Sequence, residues 1–202
     1  YFYDGILPIS KYLMEKIGKF KKRNLIIPVV TDTSVFNEMK VLKSDYILYC
    51  GSASYFEAIK SVLMALSLVT NKYIKLILVV GGTEDQMKKI FEIIENLKLQ
   101  SRVEIKTGIS NLELNELYSS ARALLLPLFN TIQDNARFPH KFGEYLASGT
   151  LVITNPVGEI NNYLVHLESG IFFQYNDNYD MAHWIDWVLE NEIESEQIGK
   201  NG

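Results

Sequence analysis

The chain has 202 residues, of which 48% are hydrophobic and 22% charged, so it can bury a sizeable core and is not expected to be disordered. The net charge is −4 at pH 7 and the pI is about 5.5, and the one basic run, at 19–23, adjoins a predicted helix end. Because phosphate backbones require clustered cations, this balance argues against a nucleic-acid partner.

Cysteine and histidine usage bounds the chemistry further. Cys50 is the only cysteine, which excludes an internal disulfide and fits a reducing compartment. It ends an apolar run, so we expect a buried, inert thiol. The three histidines are scattered and show no metal-ligand spacing, and no apolar run is as long as a membrane span. The sequence predicts no metal site.

The first forty residues differ from the rest. They predict a strand at 3–8, a helix at 10–20 and an apolar run at 24–30 that ends in the loop TDTSVF. The sequence starts in mid-strand and without Met, so we expect it to be a piece of a longer protein.

From residue 41 onward, apolar runs alternate with helical patterns at steady intervals. Strands are predicted at 46–50, 75–80, 102–106, 123–126, 151–154 and 170–174. Helices are predicted at 55–69, 84–97, 112–119, 140–148, 159–167 and 179–190. Three of the helix starts carry capping boxes: Ser54 with Glu57, Thr83 with Gln86 and Ser110 with Glu113.

Strand runs such as ILYC and KLILVV are continuously apolar, as a parallel sheet covered on both faces requires. The predicted fold class is therefore α/β, with a doubly wound, Rossmann-like parallel sheet. In such sheets, ligands bind beyond the carboxyl ends of the strands.

The run FPHKFGEYLASGTLVIT, at 138–154, is the most informative stretch of the chain. Lys141 and Glu144 stand three residues apart and share one face of a short helix, whose other face is apolar. Pro139 suits the start of this helix and Gly149 its end. From the residues alone, the pair either holds a phosphate and a sugar hydroxyl or is a solvated surface ion pair.

The pattern Pro-x-Lys-x-x-Glu-Tyr-Leu-Ala-x-Gly, followed by an apolar strand and Thr, resembles the donor-site signature of retaining, group-1 glycosyltransferases with the GT-B fold. Ile27, Pro28, Asp32 and Phe36 are similar to the family's segment between its two halves. The resemblance runs from about residue 3 to the end. It implies an interdomain connector at 1–40 and a nucleotide-sugar donor-binding domain at 41–202, one half of a GT-B fold. The acceptor-binding N-terminal domain would be missing.

The resemblance also assigns residues to the donor. Gly51 and Ser52 would face its diphosphate, although a strand–Gly–Ser–helix junction is also an ordinary tight turn. Glu144 would accept hydrogen bonds from the ribose hydroxyls. Thr107, Gly108 and Ile109 would line the base of the nucleotide. The chain has Ser52 where the family usually has an Arg, and Tyr55 to Glu57 near its usual Lys.

Lys141 is therefore the expected catalytic cation, with Arg137 as its helper unless that side chain lies in water. Ala136 stands where the first Glu of the family's E-x7-E motif is expected, near the transferred sugar. The amide-rich loop at 130–135, including Asn135, would contact the sugar instead or be a flexible polar loop.

The function implied is transfer of a sugar from a nucleotide-diphosphate sugar, with retention and without a metal cofactor, to a glycan or lipid-linked saccharide acceptor bound by the missing N-terminal domain. It implies a role in polysaccharide biosynthesis and a cytoplasmic location, with membrane association through that domain. Three alternatives stay open: a catalytically degenerate nucleotide-sugar binding module, a GT-B epimerase or hydrolase, and an unrelated Rossmann-like domain.

Overall fold

The structure is a computed structural model that describes residues 4–18, 23–36 and 42–202. The strands in these ranges are β1 (Gly5–Ile6), β2 (Arg23–Asn24), β3 (Tyr46–Ser52), β4 (Lys75–Gly81), β5 (Val103–Lys106), β6 (Ala123–Leu126), β7 (Val152–Thr154) and β8 (Ile171–Phe172). The α-helices are α1 (Lys11–Ile17), α2 (Phe56–Leu68), α3 (Glu84–Asn96), α4 (Asn111–Ser120), α5 (Ile132–Ala136), α6 (His140–Ala147), α7 (Asn178–Glu190) and α8 (Glu192–Asn201). Short 3-10 helices cover Ser34–Phe36 and Gly158–Asn162.

Six strands form the main sheet, in the order β5-β4-β3-β6-β7-β8, and all neighbours are parallel. This confirms the predicted α/β class with a doubly wound, Rossmann-like sheet. The first strand of the sheet, β3, has β4 on one side and β6 on the other, so the chain changes direction across the sheet beside β3. Ligands of doubly wound sheets bind at such a switch point.

Both faces of the sheet are covered, which explains the continuously apolar strands. Ile47 points into a core shared with α2, α3, α7 and α8, whereas its neighbour Leu48 points into a second core with α4 and α6. In β4, Leu78 and Val79 divide between the two cores in the same way. Successive residues of these strands are thus buried on opposite faces of the sheet, as expected for central parallel strands.

The segment before β3 docks onto the carboxyl edge of the main sheet. β1 and β2 form a small parallel sheet, with α1 between them in the chain. The Ser10 hydroxyl accepts the Leu13 N–H as the cap of α1 and donates to the Ala136 carbonyl oxygen at 2.6 Å. The Lys11 N–H donates to the buried Glu159 carboxylate. These bonds fix α1 beside α5.

Several predicted elements extend beyond the described residues. The predicted strand at 3–8 is described from residue 4 and the predicted helix at 10–20 to residue 18, while the basic run at 19–23 is described only at its last residue. The domain boundary at residue 40 also lies outside the described residues and stays a prediction. None of the described helices is long and apolar enough to cross a membrane.

The predicted helix at 159–167 is wrong. The 3-10 helix Gly158–Asn162 takes its first part, and a turn follows in which Leu167 has φ +63° and donates its N–H to the Gly170 carbonyl. A non-glycine residue in the left-handed region ends a helical path. α5 and α8 were not predicted as helices at all, and α5 occupies the loop expected at 130–135.

The three predicted capping boxes differ in outcome. Thr83 and Gln86 form the complete reciprocal pair. Ser110 accepts the Glu113 N–H, but the Glu113 carboxylate pairs with a lysine of β5 instead. The box at Ser54 is wrong, because α2 begins after Tyr55 with no side-chain cap.

Candidate functional site

A cavity of about 270 Å³ opens at the carboxyl ends of β3 and β6, at the switch point of the sheet. Four predicted site residues are among its lining: Gly51, Ser52, Arg137 and Lys141. The start of α6, at Pro139 and His140, borders the same cavity. The fold thus brings together residues that are 90 positions apart in the sequence, from Gly51 to Lys141.

β3 ends with Gly51 and Ser52, which lead into a tight turn, called the Gly51 loop below, and position 51 has little room for a side chain. A Cβ on Gly51 would lie 2.7 Å from the Tyr49 hydroxyl oxygen. The Ser52 hydroxyl accepts the Ser54 N–H and lies 2.8 Å from the Ser54 hydroxyl, while the Ala53 N–H donates to the Gly81 carbonyl. These loop amides are already paired, so a phosphate here would be met by the uncapped first turn of α2.

Lys141 and Glu144 form an ion pair on α6. Lys141 Nζ lies 2.9 Å from Glu144 Oε2, and the two side chains are 32% and 33% exposed. At this exposure an ion pair contributes about 0–1 kcal/mol, so a ligand can compete for either partner. Lys141 lines the cavity, whereas Glu144 lies one helical turn further along and reaches it only through Lys141.

A pair of buried tyrosines, Tyr118 and Tyr145, packs under the Lys141–Glu144 ion pair on its core side. The Tyr118 hydroxyl donates to Glu144 Oε2 at 3.2 Å, and the rings of Tyr118 and Tyr145 pack edge to face, 5.0 Å apart. The Tyr145 hydroxyl in turn accepts the Cys50 N–H at 2.9 Å, just before the Gly51 loop. Burial raises the pKa of both phenols, which stay protonated, and raises the pKa of the Cys50 thiol.

Sequence reasoning missed the tyrosine pair, because aromatic residues on apolar helix faces are normally core residues. Both side chains are indeed fully buried. The one available signal was the hydroxyl group itself, since a buried phenol has to find a hydrogen-bond partner. The buried thiol expected at Cys50 is confirmed.

Arg137 is not a solvated loop residue. Its guanidinium lies 2.6 Å from Asp134 Oδ1 and 4.6 Å from the centre of the Tyr55 ring. The other Asp134 oxygen accepts the Phe129 N–H at 2.7 Å, which fixes this carboxylate in a buried position. Arg137 Nε is buried and has no hydrogen-bond partner among the described residues. The cation is therefore held rigidly at the cavity wall, although Asp134 offsets part of its charge.

The predicted base-contacting residues lie apart from this cavity. Thr107 and Gly108 are exposed after β5, and Ile109 packs against the second core. Gly108 has φ +61°, a conformation that favours glycine, so this turn has a defined shape. None of the three is among the described residues that line the 270 Å³ cavity.

Asn135 also lies apart, in a larger groove of about 630 Å³ between α1 and the ends of β7 and β8. Its amide donates to Asn130 Oδ1 at 2.9 Å and to the Thr131 carbonyl at 2.8 Å. Most of the stretch at 130–135, for which sugar contact and a flexible loop were both left open, is the helix α5, capped by Thr131. Ala136 exposes no carboxylate here, and its carbonyl is taken by Ser10.

The segment before β3 also contacts α6. Thr31 packs directly on Gly143, so closely that a Cβ on that glycine would collide with the Thr31 hydroxyl. Gly143 therefore permits the close approach of this segment to the helix that carries Lys141 and Glu144. Among the described residues, no group of three or more His, Cys, Asp or Glu side chains is placed to hold a metal ion.

The parallel sheet covered by helices on both faces defines a Rossmann-like domain, and Lys141 and Arg137 line a cavity at its switch point. The sequence model of the family described as "Glycosyl transferases group 1" matches residues 30–202. The chain belongs to this family of sugar-transferring enzymes. No curated protein matches the chain.

Solved structures share the fold at low identity. Anabaena HepE, in complex with UDP and glucose, matches with a TM-score of 0.81 and 15% identity, over 99% of this chain and 57% of its own. Sucrose-phosphate synthase from Thermosynechococcus elongatus matches with 0.82 and 19%, over 99% and 52%. The C-terminal domain of LpcC, a group 1 glycosyl transferase from Francisella tularensis, matches with 0.62 and 15%, over 86% and 90%. The chain thus spans a little over half the length of the first two.

Proposed function

We propose that this chain is the donor-binding half of a glycosyltransferase that takes a nucleotide-diphosphate sugar. The observation that carries the proposal is the 270 Å³ cavity at the switch point, which is lined by Lys141 and Arg137 and bordered by the start of α6. The family membership and the UDP bound in the HepE structure support the same ligand class.

Lys141 is the proposed partner of the diphosphate. Its ammonium group stands in the first turn of α6, where no side chain caps the helix, so the first amides and the helix dipole act on an anion together with it. When the nucleoside diphosphate departs, a fixed cation stabilises its growing charge. Arg137 adds a second positive group to the cavity lining, partly offset by Asp134.

Glu144 is the proposed partner of the ribose. A carboxylate presents acceptor oxygens that match the two hydroxyls of a vicinal diol. Its position one turn after Lys141 sets the ribose beside the phosphate, in the order in which a nucleotide carries them. Thr107, Gly108 and Ile109 stay proposed contacts of the base, and Asn135 a proposed contact of the sugar.

The complete reaction is proposed to retain the anomeric configuration and to need no metal cofactor. The acceptor is a glycan or lipid-linked saccharide held by an N-terminal domain, as in polysaccharide biosynthesis in the cytoplasm. By itself, the 202-residue chain is expected to bind nucleotide without turnover, because a cleft between two domains has to close to align the reactants.

A second candidate is a binding module of the same fold that has lost catalysis. Ser52, the last residue of β3, supplies no charge to the site, and its hydroxyl is engaged with Ser54. Ala136 supplies no carboxylate beside the sugar. Sugar transfer by a protein that contains this chain and its acceptor-binding half would eliminate this candidate.

Calorimetric titration with UDP, GDP and ADP tests the proposed function. One diphosphate is expected to bind selectively, and Glu144→Ala is expected to weaken it about tenfold, the value of a charged hydrogen bond. Glu196→Ala is the matched control, because Glu196 also pairs with a lysine of its own helix, at 3.8 Å. A large fall in melting temperature with unchanged affinity would show instead that Glu144 has a structural role.

A further inference from the structure

We propose that Tyr118 is a positioning residue that orients Glu144 toward the ribose of a bound nucleotide. The inference rests on the proposed function and adds a residue to its site. Tyr118 comes from α4, outside the motif that carries Lys141 and Glu144.

The direction of the Tyr118 hydroxyl separates it from an ordinary core tyrosine. The ring is fully buried, yet its hydroxyl donates to the partly exposed Glu144 carboxylate at 3.2 Å. Tyr46 shows the common alternative: its half-buried hydroxyl donates to the Leu117 backbone carbonyl at 2.8 Å. The Tyr118 hydroxyl also interacts with the Cys50 side chain, and the Glu144 carboxylate is the charged partner to which its O–H donates.

Two donors act on one oxygen of Glu144. Tyr118 and Lys141 both reach Oε2, whereas Oε1 accepts no hydrogen bond within the described part of the chain. The carboxylate is thus turned so that Oε2 is held while Oε1, with its two lone pairs, stays available to the hydroxyls of a diol. A free carboxylate at the end of a flexible side chain would lose more rotamer entropy on binding.

The tyrosine matters more once a ligand is bound. If Lys141 turns to the diphosphate, Glu144 Oε2 loses its ammonium partner and Tyr118 becomes the group that holds the carboxylate in place. Tyr118 is itself fixed by its edge-to-face contact with Tyr145, whose hydroxyl accepts the Cys50 N–H. One buried pair thereby supports Glu144 and the strand end that leads into the Gly51 loop.

The test is a titration of the wild-type chain and of Tyr118→Phe with UDP and with 2′-deoxy-UDP. If calorimetry selects another nucleoside diphosphate, that nucleotide and its 2′-deoxy form are used instead. We expect Tyr118→Phe to weaken the ribose nucleotide about fivefold and the deoxy form less, so that discrimination between them falls. A purely structural role would weaken both equally. Tyr46→Phe, the matched loss of a hydroxyl, should change melting temperature without changing discrimination.

A double variant checks that Tyr118 acts through Glu144. Tyr118→Phe in the Glu144→Ala background should weaken the ribose nucleotide no further, because the carboxylate it orients is absent. Unchanged affinity of Tyr118→Phe, or additive losses in the double variant, would overturn the inference and leave the proposed function standing. A wild-type chain that binds no nucleoside diphosphate would overturn both.

Discussion

The Lys141 ammonium group has two competing partners, the Glu144 carboxylate and the diphosphate of the proposed ligand. In the unliganded chain its ammonium group lies 2.9 Å from Glu144 Oε2, and a diphosphate would compete for the same charge. The pair is about one-third exposed, so the exchange costs little. The ion pair is therefore compatible with a site that opens when the ligand arrives.

Lys141→Ala is expected to weaken a nucleoside diphosphate about fivefold, or roughly 1 kcal/mol for a partly exposed charged contact, and to leave the nucleoside nearly unchanged. The reason is that the nucleoside has no phosphate for Lys141 to bind. Calorimetry with both ligands measures the difference. Lys200→Ala is the control, because Lys200 is paired with Glu196 on α8 in a similar way. Equal losses for both ligands would remove the phosphate role.

Sequence periodicity could place Lys141 and Glu144 on one helix face, because residues three apart in a helix are neighbours. It could not find Tyr118, since a buried hydroxyl and a purely apolar ring follow the same helical pattern. It could not find the partners of Arg137 either. Asp134 is one turn away, but Tyr55 lies 82 positions earlier and reaches the guanidinium only through the fold.

At the scale of elements, Lys43 joins the end of α4 to the turn before β7. Its ammonium group donates to the Ser119 carbonyl at 2.9 Å and to the Thr150 hydroxyl at 2.7 Å. Burial lowers the pKa of Lys43 to about 8, against a partial increase from Glu196. The folded chain therefore releases this proton more readily than the unfolded chain does.

The stability due to Lys43 should accordingly rise with pH between about 8 and 10.5, where the unfolded chain binds more protons than the folded one. We expect the free energy of unfolding of the wild type, minus that of Lys43→Met, to increase by roughly 1–3 kcal/mol from pH 7 to pH 10. Urea unfolding at both pH values measures it. Lys60, which is 44% exposed, supplies the control Lys60→Met. A difference that is flat with pH would contradict the buried ammonium group.

Element boundaries were predictable where local chemistry decides them. Thr83 and Gln86 form their capping box because both partners are local and exposed. The helix expected at 159–167 does not continue past Asn162, because the chain then turns and Leu167 adopts a left-handed φ of +63°. α5 was missed although its cap is local: Thr131 accepts the Asp134 N–H, but the helix has only five residues and its amide-rich sequence is typical of a loop.

For the molecule as a whole, the apolar strand runs in the sequence were sufficient to predict a parallel sheet covered on both faces. Runs such as KLILVV in β4 are buried on both faces, which only a covered parallel sheet provides. The strand order and the position of the switch point beside β3 were not predicted and come from the structure. The 630 Å³ groove was not predictable either, because it depends on the docking of α1 beside α5 through Ser10 and Ala136.

A nucleoside diphosphate is proposed to bind at the switch point beside β3, and not in the larger groove beside α1. Backbone amide chemical shifts of the ¹⁵N-labelled chain, recorded during titration with the diphosphate selected by calorimetry, test this location directly. We expect the largest changes at Gly51, Ser52, Gly108, Lys141 and Glu144. Changes confined to the 630 Å³ groove, around Lys11, Glu159 and Gln174, would contradict it.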